Sequence, residues 1–379
     1  MIIGFDGSRA FSNQRTGTEN YSYQLLKHLA KIDTKNHYLI YLRPASTKDL
    51  GQSNYLEKEK GWPQNFQFKV LEYFRLWTQS GLAFETFKQR LDLLFVPAHT
   101  LPIIHKPGLK TVLTVHDLGS EYLPRMHQLK QRLYLSVMQR YQLKTATKII
   151  AVSKATRDDL VAKIGINPSK IVVIYEGYNK NLFKQVKSDT LVNSLSYLNL
   201  KPKTYLLFVG TVQPRKNLKR LILAYNQFLQ LNNNQILDLV IVGSRGWLSD
   251  EIFSLPKKLG IESKVRFLGY IPDARMPALY SGAVGCVFPS LFEGFGLPIL
   301  EAQACGCPVL TSSVSSMPEV AGSGAILVDP YSIDDIVKGM EKLQSEGIRK
   351  QLVKKGFENT KRFSWEKCAI QTLGVLEKL

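Results

Sequence analysis

The chain has 379 residues, 44% hydrophobic and 21% charged, a soluble globular balance with room for two domains. Its formal charge of +19 favours phosphate-rich partners such as a nucleotide or pyrophosphate ligand, an anionic lipid surface or nucleic acid. No apolar run approaches the ~18 residues of a membrane span. The start MIIGFDGSRAF lacks the pattern of a secretory signal, and four cysteines without a C-x-x-C pair read as packing residues of a reduced, cytoplasmic protein.

Met1–Asp6 is an apolar run stopped by Gly7, a first strand, and Thr18–Ile32 follows with a helical stripe at Tyr21, Leu25, Leu29 and Ile32. Gly17 stands between that strand's loop and the helix N-terminus. Tyr38–Leu42, Phe68–Phe74, Leu91–Val96, Thr111–Val115, Lys148–Val152 and Ile171–Tyr175 read as further strands, and Ala45–Asn65 as an irregular insertion. Strands alternating with helical segments predict a parallel sheet covered on both faces. Pro124–Lys148 carries Arg125, Lys130, Arg132, Arg140, Lys144 and Lys148, no acid, and interleaved apolar residues. It reads equally as a basic amphipathic helix lying on an anionic membrane and as a packed helix with a solvated basic face.

Residues 178–204 are Lys-, Asn- and Ser-rich and read as a linker. The alternation then restarts with strands Tyr205–Val209, Leu239–Val242, Val265–Leu268, Gly285–Phe288, Val309–Ser312 and Ala325–Val328. Helices are expected at Asn217–Leu231, Ser249–Leu259, Pro272–Ser281 and Leu297–Cys305, with three more at the C-terminus. The expected fold class is α/β: two tandem doubly wound, Rossmann-like domains, 1–180 and 181–364, facing across a cleft. Residues 1–180 carry 26 basic and 14 acidic side chains against 24 and 17 in the remainder, so the charge excess is concentrated in the first.

Chemistry concentrates in Pro289–Pro308, PSLFEGFGLPILEAQACGCP. A strand ending at Phe288 is followed by a glycine loop and a helix start, where an open α/β sheet places its ligand and where backbone N–H groups meet an anion. Glu293 and Glu301 stand eight residues apart. On one helix they would lie roughly 12 Å apart, but Gly294 and Gly296 let Glu293 fold back over the helix start. One carboxylate then grips one end of a ligand and the other its far end; a carboxylate suits a vicinal diol such as a ribose. Arg215 and Lys216 follow strand Tyr205–Val209 and pair a planar fork with a point charge, a combination suited to a diphosphate; a solvated basic loop is the alternative. Gly243 and Ile271 follow two more strands on the same rim. His116 ends strand Thr111–Val115 and is either a core or loop histidine or a site residue, with His99 a weaker candidate. There is no Asp-x-Asp, H-E-x-x-H or P-loop pattern, so no metal or cofactor is expected.

The stretch LFEGFGLPILEAQACGCPVLTSS resembles the E-x7-E signature of the retaining, GT-B-fold glycosyltransferases of family 4, with Glu293 and Glu301 at the signature positions. The resemblance implies a metal-independent enzyme moving a hexose, mannose in preference, from a GDP- or UDP-linked donor to a glycan or lipid-linked acceptor. It places Glu293 and His116 against the donor sugar and Glu301 on the ribose. Arg215 and Lys216 go to the pyrophosphate, beside the loop Gly294, Phe295, Gly296 and Leu297. Gly243 and Ile271 fall on the rim that holds the base, and Gly17 near phosphate, although this chain has a single glycine, Thr16–Gly17–Thr18, where the family has several. It also implies that the last helix, 365–379, packs back on the first domain. Two other readings stay open: a glycosidase using the two glutamates, which leaves Arg215 and Lys216 without a role, and a basic nucleic-acid-binding protein, for which no recognition motif is present.

Overall fold

The computed structural model describes residues 1–11, 17–44, 61–72, 76–98, 100–118, 138, 140–231 and 237–379. His99, most of the predicted helix Pro124–Lys148 and most of the insertion Ala45–Asn65 lie outside them. Contacts divide the chain into two compact units: Met1–Gly177 with Trp365–Leu379, and Tyr178–Ser364.

The first unit holds a seven-stranded sheet built from β1 (Ile2–Asp6), β2 (His37–Leu42), β3 (Phe66–Val70), β4 (Leu93–Val96), β5 (Lys110–Val115), β6 (Lys148–Ala151) and β7 (Ile171–Val173). Their order is β3-β2-β1-β4-β5-β6-β7, and every pairing is parallel. β4, Leu-Leu-Phe-Val, is buried along its whole length, which is why it reads as a continuous apolar run rather than an alternation. The helix Gly17–Ile32 buries Tyr21, Leu25, Leu26 and Leu29, at the spacing of one helical face. The helix Trp365–Leu376 packs on it, with Trp365 5.8 Å from the Tyr21 ring.

The second unit holds β8 (Tyr205–Val209), β9 (Asp238–Val242), β10 (Val265–Gly269), β11 (Gly285–Phe288), β12 (Val309–Ser312) and β13 (Ala325–Val328), all parallel, in the order β10-β9-β8-β11-β12-β13. The chain winds outward from β8 in one direction and from β11 in the other, so the order reverses between these neighbours. That switch point leaves a crevice beyond their C-terminal ends.

Two expectations are revised. The third strand lies at Phe66–Val70, upstream of Phe68–Phe74; it is an edge strand of the sheet with only Phe66 fully buried, where an apolar run is a poor ruler. The expected linker 178–204 contains a helix, Ser188–Ser196, that belongs to the second unit. Leu191 and Leu195, one turn apart, are buried there, and a Cβ on Gly282 would meet Leu195 at 2.6 Å. Two leucines in a polar segment are enough to anchor one short helix, a signal that composition averages away.

Candidate active site

The loops after β8 and β11 meet at the switch point of the second sheet. After β8, residues Pro214–Lys216 form one 3-10 turn, and Asn217 closes it in the left-handed region at φ 61°. Asparagine tolerates that conformation better than most residues. Its side-chain amide donates to the carbonyls of Pro289, 2.9 Å, and Pro330, 2.7 Å, which fastens this turn to the β11 loop. The Leu291 N–H closes the same joint on the Arg215 carbonyl at 2.9 Å.

This joint brings Arg215, Lys216 and Glu293 together. Arg215 Nη1 donates to Glu293 Oε2 at 2.8 Å and to the Phe292 carbonyl at 2.8 Å. Lys216 Nζ donates to Glu293 Oε1 at 2.7 Å and lies 4.9 Å from the Phe288 ring centroid. Glu293 is 6% exposed and Lys216 is also buried. Burial pushes the Glu293 carboxyl up, but the charges of Arg215 and Lys216 outweigh it and hold the group below the usual glutamate value. The set therefore carries two cations and one anion.

Ser315 and Ser316 fix the loop that carries Glu293. Ser315 Oγ donates to the Glu293 carbonyl at 2.6 Å, and Ser316 Oγ reaches the Glu293 and Phe295 carbonyls at 2.9 and 2.8 Å. Gly294 and Phe295 are buried, and the Phe295 ring meets Phe363 edge-on at 5.7 Å. Gly296 then turns the chain at φ 102° into the helix Leu297–Ala304, whose first turn has no side-chain cap. Of its leading residues, Pro298 has no N–H and the Ile299 N–H is taken by the Gly296 carbonyl at 3.0 Å, so the helix start offers the Leu297 N–H and the positive end of its dipole.

Glu301 lies one turn further along that helix, half-buried, and accepts from the Tyr280 hydroxyl at 3.0 Å. Among the described residues no cation pairs with it. Burial pushes its carboxyl up to about 7, with Tyr280 opposing and Asp273 adding to the rise. The signature glutamates thus sit in opposite environments, one saturated with positive charge and one poor in it.

Gly243 and Ile271 end β9 and β10 on the same rim. A Cβ on Gly243 would lie 2.0 Å from the Gly210 carbonyl oxygen, so glycine is required there by the packing of two backbones, whatever else the rim holds. Ile271 is buried, while the preceding Tyr270 is exposed.

His116 sits in the first unit, at the end of β5. Its Nε2 donates to the Pro97 carbonyl at 3.0 Å and its Nδ1 faces Glu176 Oε1 at 3.2 Å. A carbonyl and a carboxylate only accept, so the ring satisfies both as the doubly protonated imidazolium. The Tyr21 ring stands against it edge-on at 4.6 Å. Burial pulls the imidazole down, but Glu176, the Pro97 carbonyl and Asp117 hold it above its ordinary value. Gly17 opens the helix Gly17–Ile32 at an exposed position, and a Cβ there would meet nothing within 4 Å. Packing therefore supplies no reason for a glycine at this position.

Comparison with known proteins decides the family. Residues 172–359 match the family model described as glycosyl transferases group 1, and residues 15–182 match glycosyltransferase family 4. The O-antigen chain mannosyltransferase B of Escherichia coli is 30% identical over 372 residues, 96% of either chain. The chain belongs to glycosyltransferase family 4. The O-antigen chain mannosyltransferase RfbU of Salmonella typhimurium is 29% identical over 65% of this glycosyltransferase and 64% of its own length. Solved structures share the fold: sucrose-phosphate synthase of Thermosynechococcus elongatus, TM-score 0.77 at 20% identity over 100% of this chain and 98% of that one. Anabaena HepE in complex with UDP-glucose superposes with TM-score 0.75 at 20% identity over 100% and 99%. The two doubly wound units are those of the GT-B fold.

In this glycosyltransferase the structure adds residues that sequence reasoning passed over. Asn217, Ser315 and Ser316 position the charged set, and Tyr280 and Glu176 are the partners of Glu301 and His116. Asn217, directly after Arg215–Lys216 and before an apolar stripe, was the one with a local signal, as a left-handed turn residue opening a helix. The others come from distant segments and leave no local trace.

Proposed function

We propose that the chain transfers a hexose, mannose in our reading, from a nucleoside diphosphate sugar to a glycan or lipid-linked acceptor, with retention at the anomeric carbon and without a metal. The observation that carries this is the buried set Arg215–Lys216–Glu293 beside the uncapped helix start at Leu297. Two cations beside the positive end of a helix dipole suit a diphosphate that leaves with its charge. Glu301, a carboxylate with no cation paired to it among the described residues, suits the ribose diol, which supplies two O–H donors. Glu293 is then the carboxylate turned toward the sugar. Mannose follows from the relatives' activity, and that favours a GDP-linked donor over the UDP-sugar held by HepE.

In this mechanism the anomeric C–O bond breaks with its electron pair going to the diphosphate. The acceptor oxygen bonds the same face of that carbon, and its proton passes to a phosphate oxygen of the leaving group. Arg215 and Lys216 offset the charge that develops there.

A thermal-shift panel of GDP, UDP and their mannose and glucose conjugates tests the donor, since a ligand selective for the folded chain raises its melting temperature. GDP-mannose should shift it most, with or without EDTA. No shift from any nucleoside diphosphate would sink the reading. The anomeric configuration of the transferred sugar, read by NMR, tests retention separately.

A further inference from the structure

A cavity of about 620 Å³ lies in the second unit, and none of Arg215, Lys216, Glu293 and Glu301 lines it. One wall is a face of the helix Glu346–Thr360, where Gln351, Lys354, Lys355 and Glu358 follow at spacings of one helical turn. Arg362, just past the helix end, continues that wall. The facing wall is the turn at Gly322 and Ser323. Gly322 has φ 56°, and a Cβ there would lie 2.4 Å from Asn359 Oδ1, so the wall needs glycine at this position. A polar stripe on a surface helix is ordinary; here a turn from another segment closes the stripe into a hollow.

The charge of this hollow is one-sided. Lys354, Lys355 and Arg362 are exposed, and among the described residues no carboxylate pairs with any of them. Arg362 is held in place instead, donating to Asn359 Oδ1 at 2.8 Å and to the Glu319 carbonyl at 3.3 Å. Glu358 is the one acid of the lining, and Lys361 Nζ takes both its oxygens at 2.8 Å. Three cations are therefore left facing the hollow without an anion.

The glycine turn is also tied to the helix that carries Glu301. Asn359 Nδ2 donates to Gln303 Oε1 at 2.8 Å and to the Val320 carbonyl at 2.8 Å. Gln303 Nε2 donates to the carbonyls of Ala321, 2.9 Å, and Gly324, 3.2 Å, on either side of the turn. Gln303 lies on the helix Leu297–Ala304, two residues after Glu301. The short helix Met317–Ala321 that enters the turn follows directly on Ser315 and Ser316, whose hydroxyls hold the Glu293 carbonyl. Both glutamates of the pair are thus joined to this wall by fixed contacts.

We propose that this hollow is an effector site for a hexose phosphate, separate from the donor site, and that its occupancy changes donor affinity. Lys354, Lys355 and Arg362 suit a phosphate dianion, two as point charges and one as a planar fork. The volume exceeds what a phosphate alone needs and falls in the range of roughly 300–1,000 Å³ of small-molecule sites. Ser323 and Gln351 can donate to and accept from the hydroxyls of a sugar ring. A ligand bridging the helix face and the turn would set the position of that turn, and through Gln303 and Ser316 the setting of Glu301 and Glu293. The effect on the donor rests on the donor reading above; binding in the hollow does not.

Calorimetry with mannose 6-phosphate, inorganic phosphate and mannose tests it. Mannose 6-phosphate should bind, phosphate at least about fivefold more weakly, and mannose not measurably. Lys354→Glu with Lys355→Glu, both on an exposed helix face, should weaken mannose 6-phosphate at least about tenfold, and Arg362→Gln should weaken it in the same direction. Neither should alter GDP affinity measured alone. Lys338→Glu with Lys342→Glu makes the same charge change on exposed positions of the helix Ile333–Gln344 and should bind as wild type. At saturating mannose 6-phosphate the affinity for GDP should change by about fivefold or more, and GDP should change that for the sugar phosphate by the same factor. Wild-type chain that does not bind mannose 6-phosphate overturns the proposal. So does undiminished binding by the Lys354, Lys355 variant, which would place the ligand elsewhere, or an equal loss in the Lys338, Lys342 control, which would make the effect one of net charge. Binding in the hollow with GDP affinity unmoved overturns the effector role. A failed donor reading shows differently: neither GDP nor UDP binds, with or without the sugar phosphate, while the titration of the hollow is still read.

Discussion

Both units end their central strands in buried charge, and the two ends are built differently. At the rim of the second sheet, Glu293 meets two cations, Arg215 at 2.8 Å and Lys216 at 2.7 Å, beside a helix start with no side-chain cap. Two cations there face one carboxylate. At the rim of the first sheet, His116 and Glu176 form a one-to-one pair at 3.2 Å, with the second ring nitrogen closed on the Pro97 carbonyl. The first arrangement is electrically incomplete and invites an anion; the second is satisfied within the protein. Two similar topologies thus end in different charge arrangements, two cations on one carboxylate in one and a one-to-one pair in the other.

The largest effect should come from removing that surplus. Arg215→Ala with Lys216→Ala leaves Glu293 buried without a cation, a loss of about 3–5 kcal/mol in stability by the usual cost of a buried charge that loses its ion pair. Nucleoside diphosphate affinity, by calorimetry on whatever fraction stays folded, should fall by at least about a hundredfold, or ~2.7 kcal/mol. Free nucleoside affinity should hardly move. Equal losses for both ligands would break the comparison, because the cations would then be supporting the fold alone.

The His116–Glu176 pair should respond in stability before it responds in ligand binding. Glu176→Gln keeps the shape and removes the charge, with an expected loss of roughly 1–3 kcal/mol. His116 is held above its ordinary value in the folded chain. Its contribution is therefore complete below the unfolded histidine value and is lost as pH rises through the folded one. Chemical denaturation across pH 5 to 9 should show that descending limb in the wild type and a flatter one in Glu176→Gln. A variant that keeps the same limb would mean that another group titrates there.

Much of the site was legible because it is local. Strand Gly285–Phe288, the glycines at 294 and 296, Glu293 and Glu301 lie within seventeen residues, and the structure joins them to Arg215 and Lys216, two strands away in sequence but neighbours in the sheet. The α/β alternation was legible for the same reason, since buried parallel strands are short unbroken apolar runs. What could not be read was pairing. Nothing in the sequence says that Glu293 spends its carboxylate on Arg215 and Lys216, that Tyr280 caps Glu301, or that Glu176 holds His116, because each partner is fixed by register between segments 20 to 80 residues apart.

The subtlest test concerns Glu293 itself, since its two roles oppose one another. In the ligand-free chain it occupies the cations that a diphosphate would need, so it competes with the ligand. It also holds them in place, so it prepares the site. Two charges about 5 Å apart interact by roughly 3 kcal/mol at an effective dielectric of ~20, and a carboxylate opposing a diphosphate pays that as repulsion. The holding role is partly duplicated, because Arg215 keeps the Phe292 carbonyl and Lys216 keeps the Phe288 ring. Repulsion should therefore win. Glu293→Gln is expected to bind nucleoside diphosphate several-fold more tightly than wild type while turning over at least about tenfold more slowly, having lost the carboxylate that faces the sugar. Calorimetry with the diphosphate and initial rates with the whole donor separate the two effects. If affinity and turnover fall together, Glu293 is chiefly a brace for the cations, and the rim of the second sheet resembles the rim of the first more closely than its charge suggests.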